Sequence, residues 1–179
     1  MKVKISDLET VAKKALTKYG YTEEEIACML PVMMYAQLRG NNQGLIKILD
    51  RNIPKNPNAT PVKIVKEKKL SALLDGGMNF AMIPMTQAMH MAIAKAKEHG
   101  FGITGTNNTK TSTGAQGYYT SRIAKEGLIG FSFAQVLPMV AAYGSSQAIY
   151  GTNPISIAVP ADPEPIVLDM STAAMAFYG

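Results

Sequence analysis

From Val62 onward the hydrophobic period of this chain switches repeatedly between two and 3.6 residues, and that alternation constrains the fold more than any other feature. "VKIVKE" and "LSALLDGG" read as two strands with a turn at Gly76 and Gly77. "AMIPMTQAMHMAIAKAKEHG" is the longest helical stretch, with Met85, Ala88, Met89, Ala92 and Ala96 forming a stripe expected to be buried. "FGITGTN" then reads as a strand, "GAQGYYTSRIAKEG" as a helix, and "LIGFSFA", "ISIAVP" and "PIVLDMS" as strands. Strands alternating with helices imply an α/β unit whose sheet is largely covered. No GxGxxG follows a strand, and "GITGTNN" lacks the glycine count and spacing, so a Rossmann nucleotide loop is not supported.

Ahead of this region lie helices. Ser6 with Glu9 and Thr22 with Glu25 both fit the capping box, in which a hydroxyl and a carboxylate three residues on satisfy open N–H groups at a helix start. The first helix carries Leu8, Val11, Ala12, Ala15, Leu16 and Tyr19 at helical spacing and stops at Gly20. The second runs through Ile26, Met29, Leu30 and Met33 to about Gly40, and a short third is expected from Gly44 to Asn52, ended by Pro54. "NIPKNPNATP" follows as an exposed connector, so the division expected is a helical segment over 1–56 and an α/β region over 57–179.

At 179 residues and 47% hydrophobic content, the chain can bury one substantial core. It has no apolar run of about eighteen residues, and "MKVKISDLET" lacks the apolar stretch of a signal peptide, so a cytoplasmic protein without membrane contact is expected. Cys28, the single cysteine, excludes an internal disulfide framework and any multi-cysteine metal site. His90 and His99 are nine positions apart in one predicted helix and point in different directions, so no metal is expected. The net charge of +5 includes Lys63, Lys66, Lys68 and Lys69, but no aromatic residue lies among them; a solvated strand face is expected, with no nucleic-acid partner.

"EGLIGFSFA", "YGTNPISIAVP" and "IVLDMSTAAMAFYG" follow one another at spacings which, with "AIAKAKEHGFGITGTNN" and the helical start, resemble the malate/L-lactate dehydrogenase family of the non-Rossmann type. This is the family of 2,3-diketo-L-gulonate reductase, ureidoglycolate dehydrogenase and sulfolactate dehydrogenase. The likeness extends over essentially the whole chain, yet family members are roughly twice this length, so it corresponds to an N-terminal half. The resemblance implies an L-sulfolactate-dehydrogenase-like α/β fold, a mixed sheet with covering helices preceded by an N-terminal helical segment. It also implies an oxidoreductase using NAD or NADP on a small 2-hydroxy or 2-oxo acid, commonly as a homodimer.

Carried over residue by residue, the family's cofactor-binding segment falls on Asp169, Met170, Ser171, Thr172, Ala173, Ala174 and Met175. Short side chains and backbone N–H groups there would suit close approach of a phosphate or ribose; the alternative is a strand end turning into a helix with Ser171 as its cap. Gly151, Thr152, Asn153 and Pro154 match the family's "GTNP", which can be wholly a turn or can help shape the dinucleotide site.

The catalytic positions depart from the family. Where relatives read Ser-His-Gly, this chain has Asn42, Gln43 and Gly44, so Gln43 replaces the histidine that serves as proton donor and acceptor. An imidazole titrates near a pKa of about 6.5, whereas an amide can donate a hydrogen bond and cannot deliver a proton. Lys47 stands at the family's arginine for the substrate carboxylate, keeping the charge and losing the bidentate fork. Ser112 stands at the family's second histidine, and Ala134, Gln135 and Val136 replace Thr-Asn-Ser.

Three readings follow: a reductase with altered chemistry, an inactive relative acting as a binding or assembly protein, and a half-length chain that needs a complementing C-terminal half. Gln43 is expected to face a cleft near Ser112 and Lys47. A half sheet is also expected to expose strand edges and apolar surface.

Overall fold

Thr22 opens a helix in the way its spacing predicts, while Ser6 does not. In the computed structural model, which describes residues 2–49 and 53–174, helix α2 spans Glu23–Gln37 and carries the complete capping box. Glu25 N–H donates to Thr22 Oγ1 at 3.3 Å and Thr22 N–H donates to Glu25 Oε2 at 2.9 Å. Helix α1 spans Ile5–Lys18 and is preceded by Lys4, which makes no side-chain cap. The helix thus begins upstream of Ser6, which lies inside its first turn and cannot face the open N–H groups. Gly20, at φ 95°, ends α1 as expected.

By their contacts the residues form two compact units, Met1–Ala115 and Gln116–Gly179. The expected boundary between 56 and 57 falls inside the first.

In the first unit, α1 buries Ala12 and Leu16, and α2 buries Ile26, Met29, Val32, Met33, Met34 and Ala36. The expected third helix is a 3-10 turn, Leu45–Leu49; its remainder lies outside the described residues. The tyrosines at the end of α1 and just after it bind the backbone at Ile48 and Ile53. Tyr19 Oη donates to the Ile48 carbonyl at 3.0 Å, and buried Tyr21 Oη donates to the Ile53 carbonyl at 2.7 Å.

Strand β1 (Lys63–Glu67) pairs antiparallel with β2 (Ser71–Asp75), which pairs parallel with β3 (Ile103–Asn107). The parallel pair is joined through α3, Met82–His99, the helix the sequence predicts. Ala72, Leu74 and Ala88 form the core between helix and sheet. The expected methionine and alanine stripe is buried at Ala88 and Met89 and only half-buried at Met85, Ala92 and Ala96. Met82, Ile83 and Pro84 at the start of α3 are deeper, so burial is concentrated in its first turns. β1 is exposed along its length, which leaves its lysines solvated.

Asp75 closes the turn after β2. Its Oδ1 accepts from Gly77 N–H at 2.7 Å and from Asn108 Nδ2 at 2.8 Å. These bonds, the Gly77 one foremost, hold the half-buried carboxyl below its usual range. Gly77 has φ 58°, and a Cβ there would come within 2.2 Å of the Thr60 carbonyl oxygen.

In the second unit, α4 (Gln116–Lys125) lies on an antiparallel sheet of order β4-β7-β8, built from Gly130–Phe133, Ile155–Val159 and Ile166–Met170. A two-stranded ribbon, β5 (Val140–Ala141) with β6 (Ala148–Tyr150), is an addition to the expected elements. Strands of two and three residues are too short to show a period.

The register sorts the three-stranded sheet into two faces. Gly130, Ser132, Ser156, Ala158, Val167 and Asp169 share the face under α4, while Phe131, Phe133, Ile155, Ile157, Val159, Ile166, Leu168 and Met170 share the other. The expectation of a largely covered sheet therefore fails for this face, where Phe131, Phe133, Ile166, Leu168 and Met170 are exposed. The expected exposure of apolar surface is what the strands show. Among the described residues, no helix is long and apolar enough to cross a membrane.

Candidate functional site

Gln43 and Ser112, expected from the resemblance at the family's proton-transfer positions, lie in the first unit, and the fold brings them into contact. Ser112 Oγ donates to Gln43 Oε1 at 3.3 Å and accepts from Gly114 N–H at 3.0 Å. A backbone amide, a hydroxyl and a side-chain amide thus form one directed chain, which turns the NH2 end of Gln43 into its donating end.

The loop carrying Gln43 is held by other side-chain amides. Asn41 Oδ1 accepts from Gln43 N–H at 2.8 Å, and Gln37 Oε1, from the last residue of α2, accepts from Leu45 N–H at 3.1 Å. Gly44 is required by proximity: a Cβ would lie 2.8 Å from the Gln37 Cα and N atoms. Gln43 itself is half-buried.

Lys47 follows in the 3-10 turn, its N–H bonded to the Gly44 carbonyl at 3.2 Å. The residue is only 2% exposed.

Ser112 sits next to strained backbone. Thr111 has φ 64° and Asn108 has φ 50°. For a β-branched residue this conformation costs on the order of 1–3 kcal/mol and persists only where surrounding contacts enforce it. The sequence carries no sign of it, because nothing in "NTKTST" marks threonine for a left-handed turn.

His90 is exposed on α3 and His99 lies at its last turn, with Nε2 at 3.5 Å from Glu98 Oε1. No histidine therefore stands at the Gln43–Ser112 pair. Among the described residues, no group of three or more His, Cys, Asp or Glu could hold a metal ion.

The expected cofactor segment lies in the second unit, except Met175, which is outside the described residues. It is tied to the "GTNP" turn through one carbonyl. Thr152 O accepts from Ser171 Oγ and Thr172 Oγ1, each at 3.1 Å, and from Thr172 N–H at 3.0 Å. Ala173 N–H donates to Ser171 Oγ at 3.0 Å in the bend after β8; the helix that the alternative reading expects after it lies outside the described residues. Asn153, at φ 35°, accepts from Val136 N–H through Oδ1 at 3.1 Å. Gly151 is forced by the Val136 carbonyl oxygen, 2.4 Å from where a Cβ would be.

This geometry tests the segment against a dinucleotide. Its short side chains at Ser171, Thr172, Ala173 and Ala174 suit close approach, whereas the Thr172 and Ala173 amides are committed within the turn and do not form a ready phosphate cradle.

Asp169 points the other way, toward α4. Its Oδ2 accepts from Gly117 N–H at 2.7 Å and caps that helix from across the sheet. The residue keeps solvent access, but crowding at the carboxyl raises its pKa, with the Gly117 bond opposing the shift. Beside it run other buried polar contacts: Ser132 Oγ to Gln116 Oε1, Thr120 Oγ1 with Ser156 Oγ at 2.7 Å, and Ser156 Oγ to the Leu168 carbonyl at 2.8 Å. A single serine between apolar residues in each of β4 and β7, Ser132 and Ser156, was the available signal for this network.

The family model described as malate/L-lactate dehydrogenase matches residues 3–178. Malate dehydrogenase of Pyrococcus abyssi is 36% identical over 174 residues, covering 94% of this chain and 48% of that protein. Ureidoglycolate dehydrogenase (NAD(+)) of Escherichia coli O157:H7 is 28% identical over 183 residues, covering 99% of this chain and 52% of that protein. The solved malate dehydrogenase of Pyrococcus horikoshii OT3 matches with a TM-score of 0.92 at 30% identity, over 99% of this chain and 52% of that one. The chain thus spans about half the length of the relatives it matches.

Proposed function

The chain belongs to the malate/L-lactate dehydrogenase family, and from that premise we propose that it is the substrate- and cofactor-binding half of an oxidoreductase acting on a small 2-hydroxy or 2-oxo acid. The cofactor proposed is NAD or NADP, the setting is the cytoplasm, and the working form is a homodimer or an assembly with a complementing C-terminal half. The observation that carries the reading is the family match over residues 3–178. Support for a nicotinamide comes from the dehydrogenase relatives, one of which carries NAD(+) in its name.

In this reading Lys47 supplies the positive charge for the substrate carboxylate, as a point charge without an arginine's fork. The NH2 end of Gln43, aimed by its bond to Ser112, polarises the 2-oxo group, a contribution of about 3 kcal/mol for a well-placed donor. Neither Gln43 nor Ser112 supplies the proton that the resulting alkoxide needs, so water or another group does so. A bound nicotinamide would supply the hydride. Asp169 to Met175 with Gly151, Thr152 and Asn153 are proposed to form one wall of its site, through their short side chains.

Fluorescence titration of the 179-residue chain with NADH and NADPH tests the reading. A saturable signal below millimolar concentration is expected; no signal from folded protein at millimolar cofactor overturns it for this chain.

A second reading is favoured by the chemistry of the pair itself: an amide and a hydroxyl occupy the proton-transfer positions, and neither titrates near neutrality. In that case the chain is an inactive relative serving in binding or assembly. Gln43→His separates the two. Oxidation of NADH with a 2-oxo acid that rises in this variant removes the second reading, and cofactor binding with no rate in either form removes the first.

A further inference from the structure

A three-stranded sheet with a helix on one face ordinarily has either polar residues or a second layer on the other. The β4-β7-β8 sheet has neither. Its outer face carries Phe131 and Phe133 on β4, Ile155, Ile157 and Val159 on β7, and Ile166, Leu168 and Met170 on β8. All eight residues are apolar. Phe131 and Phe133 are 57% and 64% exposed, Ile166 is 67%, and Leu168 and Met170 are each 49%. The two phenylalanine rings stack at 6.5 Å with an interplanar angle of 13°, which makes a flat ridge along the β4 edge.

Exposed side chains of this size amount to a patch on the order of 500 Å², near the upper end for a monomer surface. That is a large part of the roughly 800 Å² that each partner contributes to a standard stable interface. Alternation makes the pattern specific: the opposite face of the same strands is Gly, Ser, Ser, Ala, Val and Asp. A strand that faced water would carry its polar residues here instead.

We infer that this face is the docking surface for a protein segment corresponding to the second half of the family fold. The chain superposes on the solved malate dehydrogenase over 99% of its own length and only 52% of that protein's. Relatives of the same fold therefore carry about as much chain again, and an apolar sheet face of this extent is what a folded half presents to the other. The inference rests on the family membership; it does not depend on whether the chain binds a nicotinamide or turns over a substrate.

The test co-expresses the 179-residue chain with a tagged polypeptide comprising the part of Pyrococcus horikoshii malate dehydrogenase beyond the matched half. Capture, light scattering after size exclusion, and hydrogen exchange are then read. A 1:1 complex is expected, with slowed exchange in β4 and β8. Phe133→Lys and Leu168→Glu are expected to weaken it about tenfold or more, the effect of a central interface side chain, with unchanged circular dichroism. Val11→Lys, at an exposed site on α1, controls for nonspecific stickiness and is expected to change nothing. The inference is overturned by the absence of a complex, by a complex that both charge variants leave intact, or by a homodimer of this chain that protects β4 and β8. Nicotinamide titration of the same samples reads the oxidoreductase reading separately, so a complex without cofactor binding defeats that reading alone.

Discussion

At the scale of single residues, Gln43 sits in a loop that side-chain amides and a hydroxyl hold in place. The surplus amides around it have structural tasks: Asn41 and Gln37 hold the backbone on either side, and Ser112 takes the Gln43 oxygen. Gly44→Ala is expected to push the loop away from Gln37, because its Cβ would meet Gln37 backbone at 2.8 Å. Melting should show a loss of about 1–3 kcal/mol, the usual scale of overpacking. Asp169 makes a pH prediction. Its raised folded pKa means that the folded state binds this proton more tightly than the unfolded chain. The resulting stabilisation is present below the unfolded value, about 3.9, and is lost as pH rises through the folded value. At pH 7 the ionised carboxyl is therefore less favourable than a neutral acceptor would be. Asp169→Asn, which can still accept from Gly117 N–H, is expected to melt at or above the parent at pH 7, with that advantage shrinking toward pH 4. Asp169→Ala removes the helix cap and should lose about 1 kcal/mol. A lower melting point for the Asn variant at pH 7 would show that the charge at the α4 start outweighs the crowding.

Among the secondary-structure elements, α1 and α2 show how closely one sequence pattern can mislead. Ser6 and Thr22 both have a glutamate three residues on, yet only Thr22 caps a helix. Thr22→Ala is therefore expected to destabilise by about 1 kcal/mol and Ser6→Ala by a few tenths at most, measured by chemical denaturation. Equal losses would mean that the Ser6 box forms in solution. The paired segments of the second unit behave as one element, since Thr152 O gathers donors from Ser171 and Thr172. Gly151→Ala should loosen both together and appear as faster hydrogen exchange at the end of β8 as well as in the turn.

For the whole molecule, the distribution of apolar surface is the main physical fact. The first unit packs its helices and β2 around residues such as Leu16, Met29, Val32, Met33 and Leu74 and leaves β1 exposed, while the second leaves an all-apolar sheet face exposed. A partner that covers that face binds the folded chain and not the unfolded one, so it raises the melting temperature with its concentration. Excess over the dissociation constant by 100-fold corresponds to about 2.7 kcal/mol. The expected readout is a melting curve that moves upward across a titration of the second-half polypeptide and that needs about tenfold more of it for the same rise in Phe133→Lys.

The sequence by itself determined the order of the main elements, because periods of two and 3.6 report local packing, and it pointed to the family through "GTNP", "DMSTAAM" and their neighbours. The resemblance also set the expectation that Gln43, Lys47 and Ser112 stand at positions where relatives carry other residues. Only the tertiary structure decided how these residues are used. The Gln43–Ser112 bond joins positions 69 residues apart, and the Gly117–Asp169 cap joins positions 52 apart; no local pattern encodes either. The positive φ of Thr111 likewise carries no mark in the local sequence. Alternation in β4, β7 and β8 was legible as strand, but which face α4 covers, and that the phenylalanine face stays open, depends on how the strands pair. Register carries that information, and register belongs to the assembled sheet.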